Sequence, residues 1–142
     1  MDRYDELKLD YQLCFPLYAC VREIIKKYRP YLDNLDLTYT QYIAMMVIWE
    51  KRVVSAKDLG EKLYLDSGTL TPVLKSLEGK GIIRRYRLKG DERVLLVELT
   101  EAGEKLREEA LDIPQQVGRC INLEPAEVVQ LYKILYKLLR QN

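Results

Sequence analysis

Apolar residues recur at three- and four-residue spacings over residues 4 to 28, the pattern of an amphipathic helix. We expect this first helix to end at Pro30, because an interior proline removes a hydrogen bond and clashes with the preceding turn. The next apolar run, LTYTQYIAMMVIWE, opens with Thr38 three residues before Gln41, which is a capping-box pattern. Because this run is apolar almost all round, it predicts a buried central helix.

Two short helices and a pair of strands follow the central helix. Ser55 and Asp58 precede a helix of about two turns. After a turn, a second helix begins with Asp66 or Ser67 as its N-cap and stops at Gly81. The runs IIRRYRL and RVLLVEL around KGDE predict a β-hairpin. This order is that of a winged helix-turn-helix, so the predicted fold class is mainly α with a small β-hairpin wing.

Further helical segments bracket the winged module. Thr100 caps a charged helix that breaks near Pro114, and an apolar stripe over the last segment predicts a C-terminal helix. The N- and C-terminal stripes are wider than a small core needs. We therefore predict a single chain with dimerisation helices at residues 1–36 and 112–142 around the winged region at 37–111. The alternative is that both stripes pack on the monomer's own core.

The chain of 142 residues contains no histidine and three cysteines. Without histidine, Ser-His and Cys-His nucleophile pairs are unavailable, which excludes most hydrolase mechanisms. The cysteines alone do not complete a Cys/His zinc site unless a carboxylate supplies the fourth ligand, and we expect no metal, no cofactor and no enzymatic activity. The charged start MDRYDELKLD lacks a secretory signal and no apolar run reaches membrane-spanning length, so we expect a cytoplasmic protein with reduced thiols.

Positive charge is concentrated between Lys75 and Arg93. This stretch holds seven basic and three acidic residues, a net charge of +4, while the rest of the chain carries −3. A basic recognition helix and hairpin predict binding to double-stranded DNA through phosphate contacts that weaken in salt. A solvated charged face with hydroxyls as helix caps is the alternative, but it leaves the winged order unexplained. The side chains that we predict to contact DNA are Ser67, Thr69, Thr71, Lys75, Arg84, Arg85, Lys89, Asp91 and Arg93.

These residues carry a family resemblance. The stretch LYLDSGTLTPVLKSLEGKGIIRRYRLKGDERVLLVELTEAG resembles the recognition helix, wing and following helix of the MarR family of transcription regulators, and DER at Asp91 to Arg93 matches its wing-tip motif. LTYTQYIAMMVIWE and YQLCFPLYAC resemble the organic-hydroperoxide repressor (OhrR-type) branch. The resemblance implies a homodimer that binds an inverted-repeat operator, with Arg93 in the minor groove and Asp91 orienting it. It also implies that an organic hydroperoxide is the signal that releases the DNA.

In that branch the cysteine of QLCF senses peroxide. The resemblance therefore implies that Cys14 is the redox sensor and that Tyr28 and Tyr39 hydrogen-bond to its sulfur. Cys120 either captures the oxidised sulfur as a resolving cysteine or packs as an ordinary small side chain. Cys20 lies six residues after Cys14, too far along and around a helix for a disulfide, and we expect it to be a core residue.

Pro16 bears on where the first regular helix begins. Proline costs little in the first turn of a helix and much in its middle, so we expect the helix either to start near Cys14 or to kink there. A start at Cys14 places the thiol at the positive end of the helix dipole. Two other functions stay open: release of DNA by a small phenolic or other ligand bound between the domains, and a thiol peroxidase in which Cys14 turns over substrate.

Overall fold

The computed structural model describes residues 2–140 and is mainly helical, with one small antiparallel sheet. The predicted terminal segments also include Met1, Gln141 and Asn142, which lie outside the described residues. Over residues 2–140, none of the helices combines the length and the apolar character that crossing a bilayer requires. The predicted class, a mainly α winged helix-turn-helix, is confirmed by the order of its elements.

The first regular helix, α1, runs over Cys14–Asn34. The residues before it form two short 3-10 turns, Asp5–Leu7 and Leu9–Tyr11. Pro16 is therefore in the first turn of α1, where a missing N–H breaks no helical hydrogen bond. Of the two alternatives for Pro16, the helix start near Cys14 is confirmed.

The prediction that the first helix ends at Pro30 is wrong, because α1 continues through Pro30 to Asn34. The lost hydrogen bond is the one to the carbonyl of Lys26. Beyond the proline, Leu32 is only 3% exposed and belongs to the hydrophobic core. Burial of Leu32 therefore offsets the local cost of the proline, which the local pattern alone could not reveal.

The central helix α2, Tyr39–Lys51, is capped as predicted. Thr38 Oγ1 accepts the backbone N–H of Gln41, and the Gln41 side chain accepts the backbone N–H of Thr38. Helices α3, Ala56–Leu63, and α4, Ser67–Gly79, follow and complete the helix-turn-helix. The N-cap of α4 is Asp66, whose carboxylate accepts the N–H of Thr69 at 2.8 Å.

The wing is the hairpin of β2, Ile83–Leu88, and β3, Asp91–Leu99. Gly90 in its turn has φ +98°, a conformation that favours glycine. A third strand, β1, Val53–Ser55, pairs with β3 and gives the sheet order β1-β3-β2. The sequence pattern did not predict β1, because three residues are too few to show an alternation of apolar and polar positions.

After the sheet, α5, Glu101–Ala110, is capped by Thr100 as predicted, and a break precedes α6, Ile113–Gly118. The last helix, α7, covers Pro125–Arg140. The core joins α2, α4, the sheet and α6, and α1 packs on α2 and α6. By contrast, α7 has no buried residue within the part of the chain that the structure describes. The apolar side chains left exposed on α1 and α7 include Phe15, Tyr18, Val21, Ile24, Val128, Leu131, Ile134 and Leu138.

Candidate DNA interface and thiol site

Helix α4 presents a polar outer face above an apolar inner one. Its buried side chains, Leu70, Leu74 and Leu77, fasten it to the core. The opposite face exposes residues predicted to contact DNA: Ser67, Thr69, Thr71 and Lys75. The hydroxyl of Thr71 donates to the carbonyl of Ser67 at 2.7 Å, within the helix itself. A polar outer face of this kind is what a recognition helix presents to the major groove.

At the wing tip, Arg93 is bound to Asp91. The Arg93 backbone N–H and its Nε both donate to Asp91 Oδ1, at 3.2 and 3.0 Å. These hydrogen bonds hold the pKa of the Asp91 carboxyl below its usual value, so the carboxylate is charged at neutral pH. The Arg93 side chain is 91% exposed beyond this anchor. The pair therefore presents a pre-oriented guanidinium to the solvent side of the hairpin.

The two arginines at the base of the wing have different surroundings from Arg93. Arg85 is paired with Glu78 of α4 at 3.1 Å, and its backbone N–H donates to the same carboxylate at 2.8 Å. Arg84 pairs across the hairpin with Glu98. The Arg85 side chain is only 20% exposed, so its contacts brace the wing against α4. A contact of either arginine with DNA stays a prediction.

The remaining basic side chains between Lys75 and Arg93 also divide into paired and unpaired ones. Lys80 binds the loop between α1 and α2 through Asp36. Over residues 2–140, Lys75, Lys89 and Arg87 form no ion pair and are exposed. Arg87 was not among the predicted DNA contacts, although its position near the hairpin turn was a usable signal. Exposed cations without an ion-pair partner are the ones available for phosphate contacts.

Cys14 is the first residue of α1 and is exposed. Among the residues that the structure describes, no side chain caps this helix start, since Leu13 occupies the N-cap position. Unpaired N–H groups of a first turn stabilise a nearby negative charge. Solvent and small oxidants can reach the thiol, which lies beside these N–H groups.

Tyr28, Tyr39 and Tyr42 form an aromatic cluster between α1 and α2. The ring centroid of Tyr28 lies 5.0 Å from that of Tyr39 and 5.8 Å from that of Tyr42. Burial raises the pKa of all three phenols, that of Tyr42 to about 12, with further contributions between the neighbours. At neutral pH the phenols are therefore protonated hydrogen-bond donors.

The structure brings Tyr28 and Tyr39 together but not with Cys14 of the same chain. Cys14 and Tyr28 lie on one continuous helix, fourteen residues apart, which corresponds to about 21 Å of helical rise. Hydrogen bonds from Tyr28 to the Cys14 sulfur therefore cannot form within one chain.

The other two thiols are free and exposed in the described chain. Cys120 follows α6, and its Sγ donates a weak hydrogen bond to the carbonyl of Gln116 at 3.7 Å. Cys20 was predicted to be a core residue, and this is wrong for the single chain. Cys20 is exposed and does not belong to the residues that form the core or pack against it.

Comparison with known proteins agrees with this geometry. Residues 23–110 match the family described as transcriptional regulator SarA/Rot. The chain is also similar to an organic hydroperoxide resistance transcriptional regulator of Bacillus subtilis (strain 168). The two are 47% identical over 138 residues, which cover 97% of this chain and 94% of that protein.

Solved structures give the same picture. AbfR of Staphylococcus epidermidis, in a structure of the reduced protein bound to DNA, is 30% identical with a TM-score of 0.79. That match covers 98% of this chain and 96% of AbfR. A structure of disulfide-formed AbfR matches with 31% identity, a TM-score of 0.67 and 96% coverage of both chains.

Proposed function

Because this chain belongs to the SarA/Rot family of transcriptional regulators, we propose that it is a repressor that releases its operator when an organic hydroperoxide oxidises Cys14. The observation that carries the proposal is an exposed thiol at the uncapped start of a long helix. The same chain contains a winged helix-turn-helix. The resemblance to MarR-type regulators of the organic-hydroperoxide branch is confirmed by the relatives, which are transcriptional regulators. Sensing of a hydroperoxide by this chain is our extension of it.

The chemistry needs only a thiolate and the oxidant. The Cys14 sulfur attacks the terminal oxygen of ROOH, the O–O bond breaks, and the products are Cys14–SOH and an alkoxide that takes up a proton as ROH. Sulfur is oxidised by two electrons and the peroxide is reduced by two. The chain contains no histidine, so no imidazole takes part in this step.

We propose that the sensing site is completed by a second copy of the chain. Its support is the distance along α1, which keeps Cys14 away from Tyr28 in the same chain. The exposed apolar faces of α1 and α7 are further support, because an unpaired apolar stripe favours association. Antiparallel packing of two α1 helices would bring Cys14 of one copy to the phenol O–H groups of Tyr28 and Tyr39 of the other.

Cys120 is the proposed resolving thiol. Its sulfur in one copy would attack Cys14–SOH of the other copy, forming a disulfide between the two chains and releasing water. Exposure of both sulfurs supports this role, and disulfide-formed AbfR is an example among the similar structures.

On the DNA, α4 of each copy would lie in the major groove of one half of an inverted repeat, with Arg93 in the adjacent minor groove. The exposed hydroxyls of α4 and the Asp91 anchor of Arg93 support this arrangement. DNA-bound structures of similar chains are consistent with DNA as the partner.

The experiment uses a duplex selected from a random-sequence library by the reduced wild-type chain. Stoichiometric cumene hydroperoxide should release this duplex, and dithiothreitol should restore binding. Cys14→Ser should stay bound under the oxidant, whereas the matched Cys20→Ser control should be released like the wild type. Continued binding of the oxidised wild type, or release of the Cys14→Ser variant, contradicts the proposal.

A non-reducing gel and the intact mass separate the possible fates of the oxidised sulfur. A covalent dimer that is lost in Cys120→Ser supports two-cysteine chemistry. A monomer carrying an added small thiol indicates that Cys120 does not resolve the sulfenic acid. Steady consumption of many peroxide molecules per chain would instead identify a thiol peroxidase.

A second candidate is release by a non-covalent ligand. Ligand sites are clefts of about 300–1,000 Å³, and an open cleft of about 330 Å³ lies between α2, the end of α5 and the start of α6, lined by Tyr42, Trp49 and Pro114 among others. Ligand-dependent release of DNA from a variant without cysteines would favour this function.

A further inference from the structure

A polar network joins the first turn of α2 to the recognition helix α4. Among the non-aromatic polar side chains of residues 2–140, Gln41 is the one that is buried, with 7% of its surface exposed. Its Nε2 donates to the hydroxyl of Ser76 on α4 at 2.9 Å. Its Oε1 accepts from the backbone N–H of Thr38 at 3.0 Å and from Lys80 Nζ at 3.1 Å. The amide is thus hydrogen-bonded on both sides.

Lys80 extends the network to the loop between α1 and α2. Its ammonium also donates to the backbone carbonyl of Asp36 and lies 3.6 Å from the Asp36 carboxylate. Lys80 directly follows the last residue of α4. The C-terminal half of α4 is therefore attached at two points, Ser76 and Lys80, to the segment that opens α2.

The same turn of α2 holds the tyrosine cluster. Tyr39 and Tyr42 flank Gln41 in sequence and pack against Tyr28 of α1. One helical turn therefore contacts α1 through its phenol rings and α4 through its amide. The Thr38 and Gln41 capping box holds the backbone of this turn together. If the turn moves, it therefore moves as a unit and changes both contacts.

We propose that Gln41 is the positioning residue through which the tyrosine cluster sets the orientation of α4. This inference rests on the proposed function, since it takes the tyrosines to be the part of the site that responds to Cys14. Apolar contacts of Leu74 and Leu77 also hold α4, but they are non-directional. Hydrogen bonds depend on direction, so the bond from Gln41 to Ser76 selects one orientation of the helix.

The geometry of α4 carries that orientation to the DNA-facing residues. Ser76 and Thr69 lie seven residues apart on one helix, about 10 Å of rise. A small change of direction at Ser76 therefore moves the N-terminal end of α4 relative to the wing. Such a movement alters the fit of two recognition helices to adjacent major grooves.

The test removes the acceptor on α4 and leaves the capping box of α2 intact. Ser76→Ala and the hydroxyl-retaining control Ser76→Thr are compared with the wild type. For each, the dissociation constant for the library-selected duplex is measured by fluorescence anisotropy before and after cumene hydroperoxide. The intact mass reports the extent of Cys14 oxidation, and thermal unfolding reports stability.

We expect Ser76→Ala to be oxidised as fully as the wild type while the oxidised-to-reduced ratio of its dissociation constants falls about three- to tenfold, the range of one neutral hydrogen bond. Ser76→Thr should keep the wild-type ratio. An unchanged ratio in Ser76→Ala, including a case in which both states lose affinity equally, overturns the inference and leaves only a structural role. If the oxidant does not change the dissociation constant of the wild type, the proposed function is wrong, and this inference is wrong with it.

Discussion

At the scale of single residues, the arginines of the wing show that charge alone does not identify a DNA contact. Arg93 is anchored through Asp91 and projects into solvent, whereas Arg85 is held against Glu78. The sequence predicted both as DNA contacts, because both belong to one basic run. Their separation depends on which acidic partner lies across the fold, which a linear charge count cannot show.

Arg93→Ala should therefore weaken binding of the selected duplex about 10- to 100-fold, because it removes a pre-oriented groove contact. Lys105→Ala, which removes an equal charge from an exposed position of α5, is the matched control and should change binding little. Anisotropy titrations at a single salt concentration check both. Equal effects of the two variants would show that only net charge matters at the wing tip.

The tyrosine cluster should make stability fall at alkaline pH. Burial raises the pKa of Tyr42 to about 12, against about 10 in an unfolded chain. The unfolded chain therefore loses protons first, so the stabilisation is complete below pH 10 and is lost as the pH rises toward 12.

Denaturant titrations across this pH range should show a smaller alkaline loss for Tyr42→Phe than for the wild type. Tyr11→Phe, at an exposed position before α1, is the control and should follow the wild-type curve. An identical pH dependence in all three proteins would contradict a buried Tyr42 phenol.

At the scale of helices and strands, the caps could be predicted and the long-range features could not. Thr38, Ser55, Asp66 and Thr100 are the N-caps that the sequence indicated, because a cap is a contact between residues three apart. Strand β1 and the continuation of α1 through Pro30 depend on partners far along the chain. Val54 pairs with Val97, and Leu32 reaches the core.

Gly103, near the start of α5, is such a long-range constraint. A Cβ there would overlap the carbonyl oxygen of Ile82 and lie 2.6 Å from a methyl of Leu99. The Gly103 carbonyl also accepts the indole N–H of Trp49 at 2.9 Å. Gly103→Ala should lower the free energy of unfolding by about 3 kcal/mol, because the backbone of two elements must move apart.

Urea titration of Gly103→Ala measures this loss of unfolding free energy. Gly79→Ala, at a helical glycine with open surroundings, is the control. Apart from its chain neighbours and the backbone of its own helix, no atom of the described chain lies within 4 Å of a Cβ at Gly79, and its substitution should be neutral or slightly stabilising. Similar losses in both variants would contradict the close approach of α5 to the sheet.

At the scale of the whole molecule, the winged module is complete in one chain and the proposed thiol site is not. Sequence reasoning could name Cys14, Tyr28 and Tyr39, but it could not place them, because spacing in a sequence does not say which chain supplies each group. The apolar stripe of α7 is also without a partner in the single chain, since none of its described residues is buried.

Ile134→Glu, near the middle of α7, should shift the protein from dimer toward monomer, because it introduces a charge into the proposed apolar interface. Lys133→Glu, on the preceding residue, is the control for a charge change outside the stripe. Sedimentation equilibrium at several concentrations distinguishes the two. A monomeric wild type, or a dimer unaffected by Ile134→Glu, contradicts association through α7.

The length of α1 between Cys14 and Tyr28 also has a consequence for mixed dimers. If each sensor takes its sulfur from one copy and its phenol from the other, Cys14→Ser and Tyr28→Phe damage different halves. A heterodimer of these two variants then contains one undamaged sensor. Purified away from both homodimers, which would stay on the DNA, the heterodimer should regain release by the oxidant. A sensor confined to one chain could not show this rescue.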